Sequence, residues 1–229
     1  MANIDINKIR EKFLMRLFPS GWDKILEPYI NGNEFKGAVN QLVERREQGH
    51  KFEPEFKNIF RAFEVCPYDD LKVILIGQDP YPQEGVADGI SFSCSRKDKY
   101  EKSLQYIFKE LYNKYEGMDK DLSRWSAQGV LMLNTALTVE VGKIGSHYDI
   151  WDPFTDYLLT VLNAHKNDRV AILMGKKAEK WEGHLSKQHI LKCSHPASAA
   201  YSGGTWRSGR IFKHANHLLI TQNEKKIEW

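Results

Sequence analysis

Four short apolar runs decide what this chain can fold into: Val73-Ile74-Leu75-Ile76, Val130-Leu131-Met132-Leu133, Val170-Ala171-Ile172-Leu173-Met174 and Ile190-Leu191-Lys192-Cys193. Each is short, mostly apolar, and ends on a polar residue or glycine, which reads as a buried strand opening into a loop. Helical spacing fills the intervals. Leu104, Ile107, Phe108, Leu111, Tyr112 and Tyr115 follow the first run; Phe154, Leu158, Leu159 and Leu162 the second; Ala178, Trp181 and Leu185 the third. Ile211, Phe212, Ala215, Leu218 and Leu219 suggest a closing helix. Strands alternating with helices argue for parallel βαβ units. The expected fold class is α/β: a single domain with a central four-stranded, mainly parallel sheet flanked by helices.

Parallel strands put all their carboxyl ends on one edge, where open α/β sheets bind ligands. After the first run comes Gly77-Gln78-Asp79-Pro80-Tyr81-Pro82, after the second Asn134-Thr135, after the third Gly175-Lys176-Lys177, and after the fourth Ser194-His195-Pro196. Asp79, Asn134, the lysine-bearing loop and His195 should therefore share one cleft. A carboxylate, an amide and an imidazole converging there suit hydrolysis in which a base activates water and the imidazole stabilises a departing anion. Taken singly, each residue has a plainer reading. Asp before Pro is an ordinary turn former, Asn134 could cap a helix, and His195, Tyr81 and Phe92 could be core. Their convergence argues for a site. No GxSxG elbow, Walker loop or GxGxxG is present, so acyl-enzyme chemistry, nucleotide-driven phosphoryl transfer and dinucleotide hydride transfer lack their signatures.

The rest of the chain reads as support. Residues 1–53 form a helical N-terminal part and 54–229 the motif-bearing core. Ile9, Phe13, Leu14 and Leu17 predict a helix stopping at Pro19, and Phe35, Val39, Leu42 and Val43 a second between an Asn33 cap and Gly49. Phe56, Ile59, Phe60 and Phe63 predict a third, entered through Pro54. Ile90-Ser91-Phe92-Ser93 reads as a short extended piece, and Asp152-Pro153 as a cap with proline at the first helical position. With 229 residues, 41% of them hydrophobic, the chain can build one sizeable core. No stretch has the apolar length of a membrane span, and no secretory signal opens the chain, so a cytoplasmic location is expected. Cys66, Cys94 and Cys193 are scattered, which implies reduced thiols and no structural metal. A net charge of +3 permits a polyanionic partner without demonstrating one.

Gly77-Gln78-Asp79-Pro80-Tyr81, Phe92-Ser93, the run from Gly129 to Val139 and His195-Pro196 closely resemble, in order and spacing, the family 1 uracil-DNA glycosylases. The similarity extends from about residue 54 to Ile227-Glu228-Trp229, while the first fifty residues match only loosely. The resemblance implies a monomeric enzyme, with no metal or organic cofactor, that cleaves the N-glycosidic bond of deoxyuridine in single- or double-stranded DNA and so initiates base excision repair. Asp79 would orient the attacking water and stabilise positive charge on the sugar, and His195 would donate to uracil O2 as the base departs. Asn134 would read the uracil edge, Tyr81 would exclude a methyl group at C5, Phe92 would stack on the base and Gln78 would offer backbone contacts. Ser103, Lys176, Pro196, Ala197, Ser198, Ala199 and Tyr201 fall in the loops that hold DNA in the family. A small acidic inhibitor protein that mimics DNA is a partner implied by the family.

The loops also depart from the family pattern. Pro82 stands where a histidine is usual, as it does in poxvirus members, and the charged stretch from Arg96 to Lys102 replaces a proline-rich loop. Gly175-Lys176 replaces Gly-Ser, and Ala199 occupies the place of a leucine that fills the hole left by the flipped base. Tyr201 is expected to act as the wedge instead, or the enzyme to prefer single strands, with lysines holding phosphates so that activity falls with salt. The alternative reading is a DNA-binding or processivity subunit with secondary or weak glycosylase activity. A related glycosylase with another base preference is a further rival.

Overall fold

The computed structural model of the chain describes residues 5–94, 99–165, 168–199 and 204–229. In chain order the strands are β1 (Phe52–Glu53), β2 (Val73–Gly77), β3 (Val130–Asn134), β4 (Val139–Glu140), β5 (Val170–Met174) and β6 (His189–Cys193). The helices are α1 (Ile6–Leu17), α2 (Asp23–Ile30), α3 (Asn33–Glu47), α4 (Arg61–Glu64), α5 (Lys102–Tyr112), α6 (Ser123–Ser126), α7 (Tyr148–His165), α8 (Lys176–Glu179) and α9 (Ile211–Thr221). The four apolar runs form one sheet in the order β3-β2-β5-β6, and every pairing in it is parallel. The α/β class is thus the one expected from the alternation of runs and helical segments.

Successive side chains of a strand point to opposite faces, and here both faces are covered. Ile74, Ile76, Leu131, Leu133, Ala171 and Leu173 pack into a cluster with Phe13, Leu17, Trp22, Phe35, Phe60 and Phe154 from the N-terminal helices and α7. Val73, Leu75, Val130, Met132, Val170 and Ile172 pack on the other side with Phe108, Trp125, Phe212 and Leu219. Continuous hydrophobic runs, rather than alternating ones, are the consequence. A separate ribbon pairs β1 with β4 antiparallel, Phe52 opposite Glu140 and Glu53 opposite Val139, so the 1–53 part is not helical throughout.

Other local expectations differ from what the chain does. The cap of α3 is Gly32, with Asn33 already helical. An unexpected helix, α2, buries Leu26, Tyr29 and Ile30 despite Pro28 inside it. Pro153 does not open its helix either: α7 begins at Tyr148 and runs through it. The N–H that proline lacks would have bonded to the carbonyl of Asp149, an exposed residue whose carbonyl water can satisfy. The third predicted helix is split into a 3-10 turn, Phe56–Asn58, and the short α4. Likewise α8 yields to a 3-10 turn at Glu182–Leu185. Asn113, in the left-handed conformation, ends α5 before Tyr115. Residues 90–93 are a turn rather than an extended piece, with Ser93 N–H donating to Ile90 O at 3.2 Å and Phe92 at φ +64°.

Candidate active site

Parallel register aligns the ends of the strands. Gly77 lies opposite Asn134 across β2 and β3, and Met174 opposite Cys193 across β5 and β6. Beyond that edge opens a cavity of about 1000 Å³, lined by Gln78, Asp79, Tyr81, Phe92, Asn134 and His195 among others. All six residues expected to bind or act on a base therefore meet. Ser103, Ala197 and Ser198 also line it.

The loop after β2 is pinned at both ends. Thr135 N–H and Ala136 N–H donate to Gln78 O at 2.9 and 3.2 Å, and the Thr135 hydroxyl donates to the same oxygen at 2.8 Å. Further on, Gly142 N–H donates to Pro82 O at 2.9 Å. Between these anchors, Gly145 N–H donates to Asp79 Oδ2 at 2.7 Å. Burial raises the Asp79 carboxyl above its usual range. The amides of Gly145 and of Asp79 itself, the Tyr148 hydroxyl and the Lys177 ammonium work against that rise.

Gly77 makes the Asn134 end of the cavity possible. A Cβ there would collide with Ser91 Oγ and would stand 3.0 Å from Asn134 Oδ1 and 3.2 Å from Phe92 Cε2. Without it, the amide of Asn134, only 8% exposed, and the Phe92 ring close directly over the strand. The Tyr81 hydroxyl donates to Phe92 O at 3.1 Å and so ties the two aromatic residues together.

His195 follows β6. Burial lowers its imidazole to about 4, so the ring is neutral near pH 7. Ala197 N–H donates to Nδ1 at 3.2 Å. A neutral ring accepting at Nδ1 carries its proton on Nε2, which fixes the tautomer. The ring centroid is 5.5 Å from that of Phe92, tilted by 36°. Its carbonyl accepts from Ser198 N–H at 2.9 Å and Ser198 Oγ at 2.7 Å, which holds the turn.

The rim is less well served. Pro196 and Ala199 are buried, Ala199 in the core beneath the sheet, so the alanine side chain does not project as a leucine wedge would. Lys176 and Lys177 are exposed at the start of α8 and lie outside the cavity lining. Tyr201, Arg96 and Lys97 fall outside the described residues.

Residues that the pattern did not single out brace the site. Asp88, 5% exposed, accepts from Ser93 Oγ at 2.6 Å and Ile90 N–H at 3.1 Å, and pairs with Arg61 at 2.9 Å. Arg61 also reaches Asp121 at 2.7 Å. This network holds the turn that carries Phe92. A signal existed in the Asp88-Gly89 pair, a turn dipeptide, though it does not reveal Arg61.

The Uracil DNA glycosylase superfamily model matches residues 63–220, a span that contains the parallel sheet and the residues around the cavity. Uracil-DNA glycosylase 1 of Listeria innocua is 37% identical over 217 residues, covering 91% of this chain and 96% of that protein. The Yersinia pestis uracil-DNA glycosylase is 36% identical over 216 residues, covering 91% and 94%. Among solved structures, the mimivirus uracil-DNA glycosylase superposes with a TM-score of 0.82 at 25% identity, covering 92% of this chain and 86% of that one. The same viral protein carrying Y322L, in complex with UGI, gives 0.81. The loops of residues 77–82 and 194–199 and the strands that present them fall inside the matched span, and the chain belongs to the uracil-DNA glycosylase superfamily.

Proposed function

We propose that this chain excises uracil from DNA by hydrolysing the bond between C1′ of the sugar and N1 of the base. The observation that carries the reading is the single cavity lined by Asp79, Tyr81, Phe92, Asn134 and His195. A base reaches such a cavity only by leaving the helical stack, at a cost of about a few kcal/mol that pocket and phosphate contacts offset. Phe92 stacks on the extruded base, Asn134 reads its edge, Tyr81 stands beside C5 and excludes a methyl group, and Gln78 offers its backbone.

As the C1′–N1 bond breaks, its electron pair goes to the uracil ring and positive charge grows on the sugar. The Nε2–H of neutral His195 donates to the oxygen on which that negative charge collects. A neutral donor suits this role because its proton stays in place as the anion forms. Asp79, ionised, stabilises the sugar cation and directs a water to C1′; the proton that this water loses passes to the carboxylate and then to solvent. The products are free uracil and an abasic site, the substrate of base excision repair. Ser103 at the start of α5, Lys176 at the start of α8, and Pro196, Ala197, Ser198 and Ala199 after β6 belong to the DNA-facing rim in this reading, with either Tyr201 as the wedge or a preference for single strands.

A single chain working in the cytoplasm, with Cys66, Cys94 and Cys193 as free thiols, is part of this reading. So is an acidic inhibitor protein as a partner, which the mimivirus complex with UGI supports. The test is release of uracil from matched single- and double-stranded oligonucleotides. We expect release by the parent and a fall of roughly a hundredfold to ten-thousandfold in Asp79→Asn and His195→Ala. Tight binding without release by the parent would overturn the reading in favour of a DNA-binding subunit.

A further inference from the structure

Tyr148, the first residue of α7, has a hydroxyl that is cut off from solvent and whose neighbouring polar groups, Asp79 and Gln78, stand short of well-formed hydrogen-bond geometry. A buried hydroxyl without a well-formed bond is costly unless a function retains it. This one faces Asp79 and Gln78, both in the loop after β2. Room for its ring is made by Gly145, where a Cβ would stand 2.9 Å from Tyr148 Cε2. The same glycine donates its N–H to Asp79 Oδ2, so ring and carboxylate are packed on one residue. Lys177 Nζ lies 5.2 Å from the ring centroid and Lys180 Nζ 5.8 Å, closing the other side. Pro82, further along the loop, has no side-chain donor to offer.

We propose that Tyr148 is a positioning residue for the excision reaction, its hydroxyl donating to Asp79 and so holding the carboxylate ionised and aimed at the attacking water. The inference rests on the glycosylase reading above. The groups that act on Asp79 are the amides of Gly145 and Asp79, the Tyr148 hydroxyl and the Lys177 ammonium; those that act on the Tyr148 hydroxyl are Asp79, Gln78 and Asp152. Every donor in the first set favours the charged carboxylate against burial. Removing the hydroxyl therefore raises the pH at which Asp79 ionises.

Tyr148→Phe tests this, because phenylalanine keeps the ring that fills the space beside Gly145. We expect kcat for uracil release to fall roughly ten- to fiftyfold with KM little changed, the pattern of an interaction used in the transition state. The acid limb of the pH profile should move to higher pH. A carbon-13 titration of the Asp79 carboxyl in parent and variant, which needs no substrate, should move the same way. An unchanged Asp79 titration, or a variant with the parent's kcat and acid limb, overturns the proposal while uracil release by the parent leaves the glycosylase reading standing. A shifted titration in a protein whose parent releases no uracil would support the contact and overturn the glycosylase reading.

Discussion

Asp79 and His195 stand in the loops that follow β2 and β6, two parallel strands separated by β5, both half-buried, and burial pushes each toward its uncharged form. Their surroundings differ. Asp79 is met by two backbone amides, a facing hydroxyl and a lysine, all of which favour negative charge. His195 receives one backbone N–H on Nδ1 and otherwise faces the Phe92 ring, and burial alone takes it to about 4. The sheet supplies two equivalent positions, and the loops make one fit to carry charge and the other fit to stay neutral. The charge state at each position on this edge is thus decided by which donors its loop turns inward.

The comparison breaks most completely at Gly77, which lies between the two ends. Gly77→Ala puts a methyl group against Ser91 Oγ, Asn134 Oδ1 and Phe92 Cε2. Uracil release should drop by roughly a hundredfold or more, with stability lower by about 1–3 kcal/mol from the overpacking. Oligonucleotide kinetics and denaturant melts would check both. If release survives while stability falls, the Asn134 end accommodates the methyl group and its tight closure is not what catalysis needs.

Lowering the pH sharpens the contrast. His195 ionises at about 4 in the folded protein against 6.5 for a free imidazole, so the unfolded chain binds a proton that the folded one refuses. The stability this contributes is complete above pH 6.5 and is lost as the pH falls toward 4. His147, 1% exposed and also lowered to about 4 chiefly by burial, adds a second contribution of the same sign. Each amounts to roughly 3 kcal/mol at full effect. Melting temperature should fall across this window, and His195→Gln should make the slope shallower. Activity should not follow a titration near 6.5; its acid limb belongs to Asp79, above the ordinary carboxylate range.

Much of this was legible in the sequence because β2, β3 and β5 are buried on both faces. Three unbroken apolar runs and a fourth interrupted by Lys192 fit strands of one sheet, and parallel connection then forces Asp79, Asn134 and His195 to one edge. The motifs around those residues carried the family resemblance. What stayed hidden depends on contacts between distant segments. Tyr148 meets Asp79 only because α7 starts four residues before the Asp152-Pro153 pair, which by local preference looks like a helix start. The positive φ of Phe92 arises from a turn held by Asp88, Ser93 and Arg61, and a β-like tetrapeptide pattern gives no hint of it. Ala199 reads as a missing wedge in sequence, and its burial in the core shows that its side chain points inward.

The same brace provides the mildest way to test whether the two ends act separately. Ser93 Oγ donates to Asp88 at 2.6 Å and accepts from Leu122 N–H at 3.2 Å, so it joins the Phe92 turn to the segment entering α6. Ser93→Ala removes both bonds and leaves the Leu122 amide without this partner, while Asp88 keeps Arg61 on Oδ2 and Ile90 N–H on Oδ1. Arg61 still neutralises Asp88, which limits the loss to about 1 kcal/mol of stability. Phe92 would then be held less firmly against His195, and KM for a uracil-containing oligonucleotide should rise about threefold to tenfold. No residue of this brace is among those acting on Asp79, so the acid limb should stay where it is in the parent. An acid limb that moves with Ser93→Ala would mean that the base shelf and the carboxylate respond as one unit, and the division between a neutral end and a charged end would have to be given up.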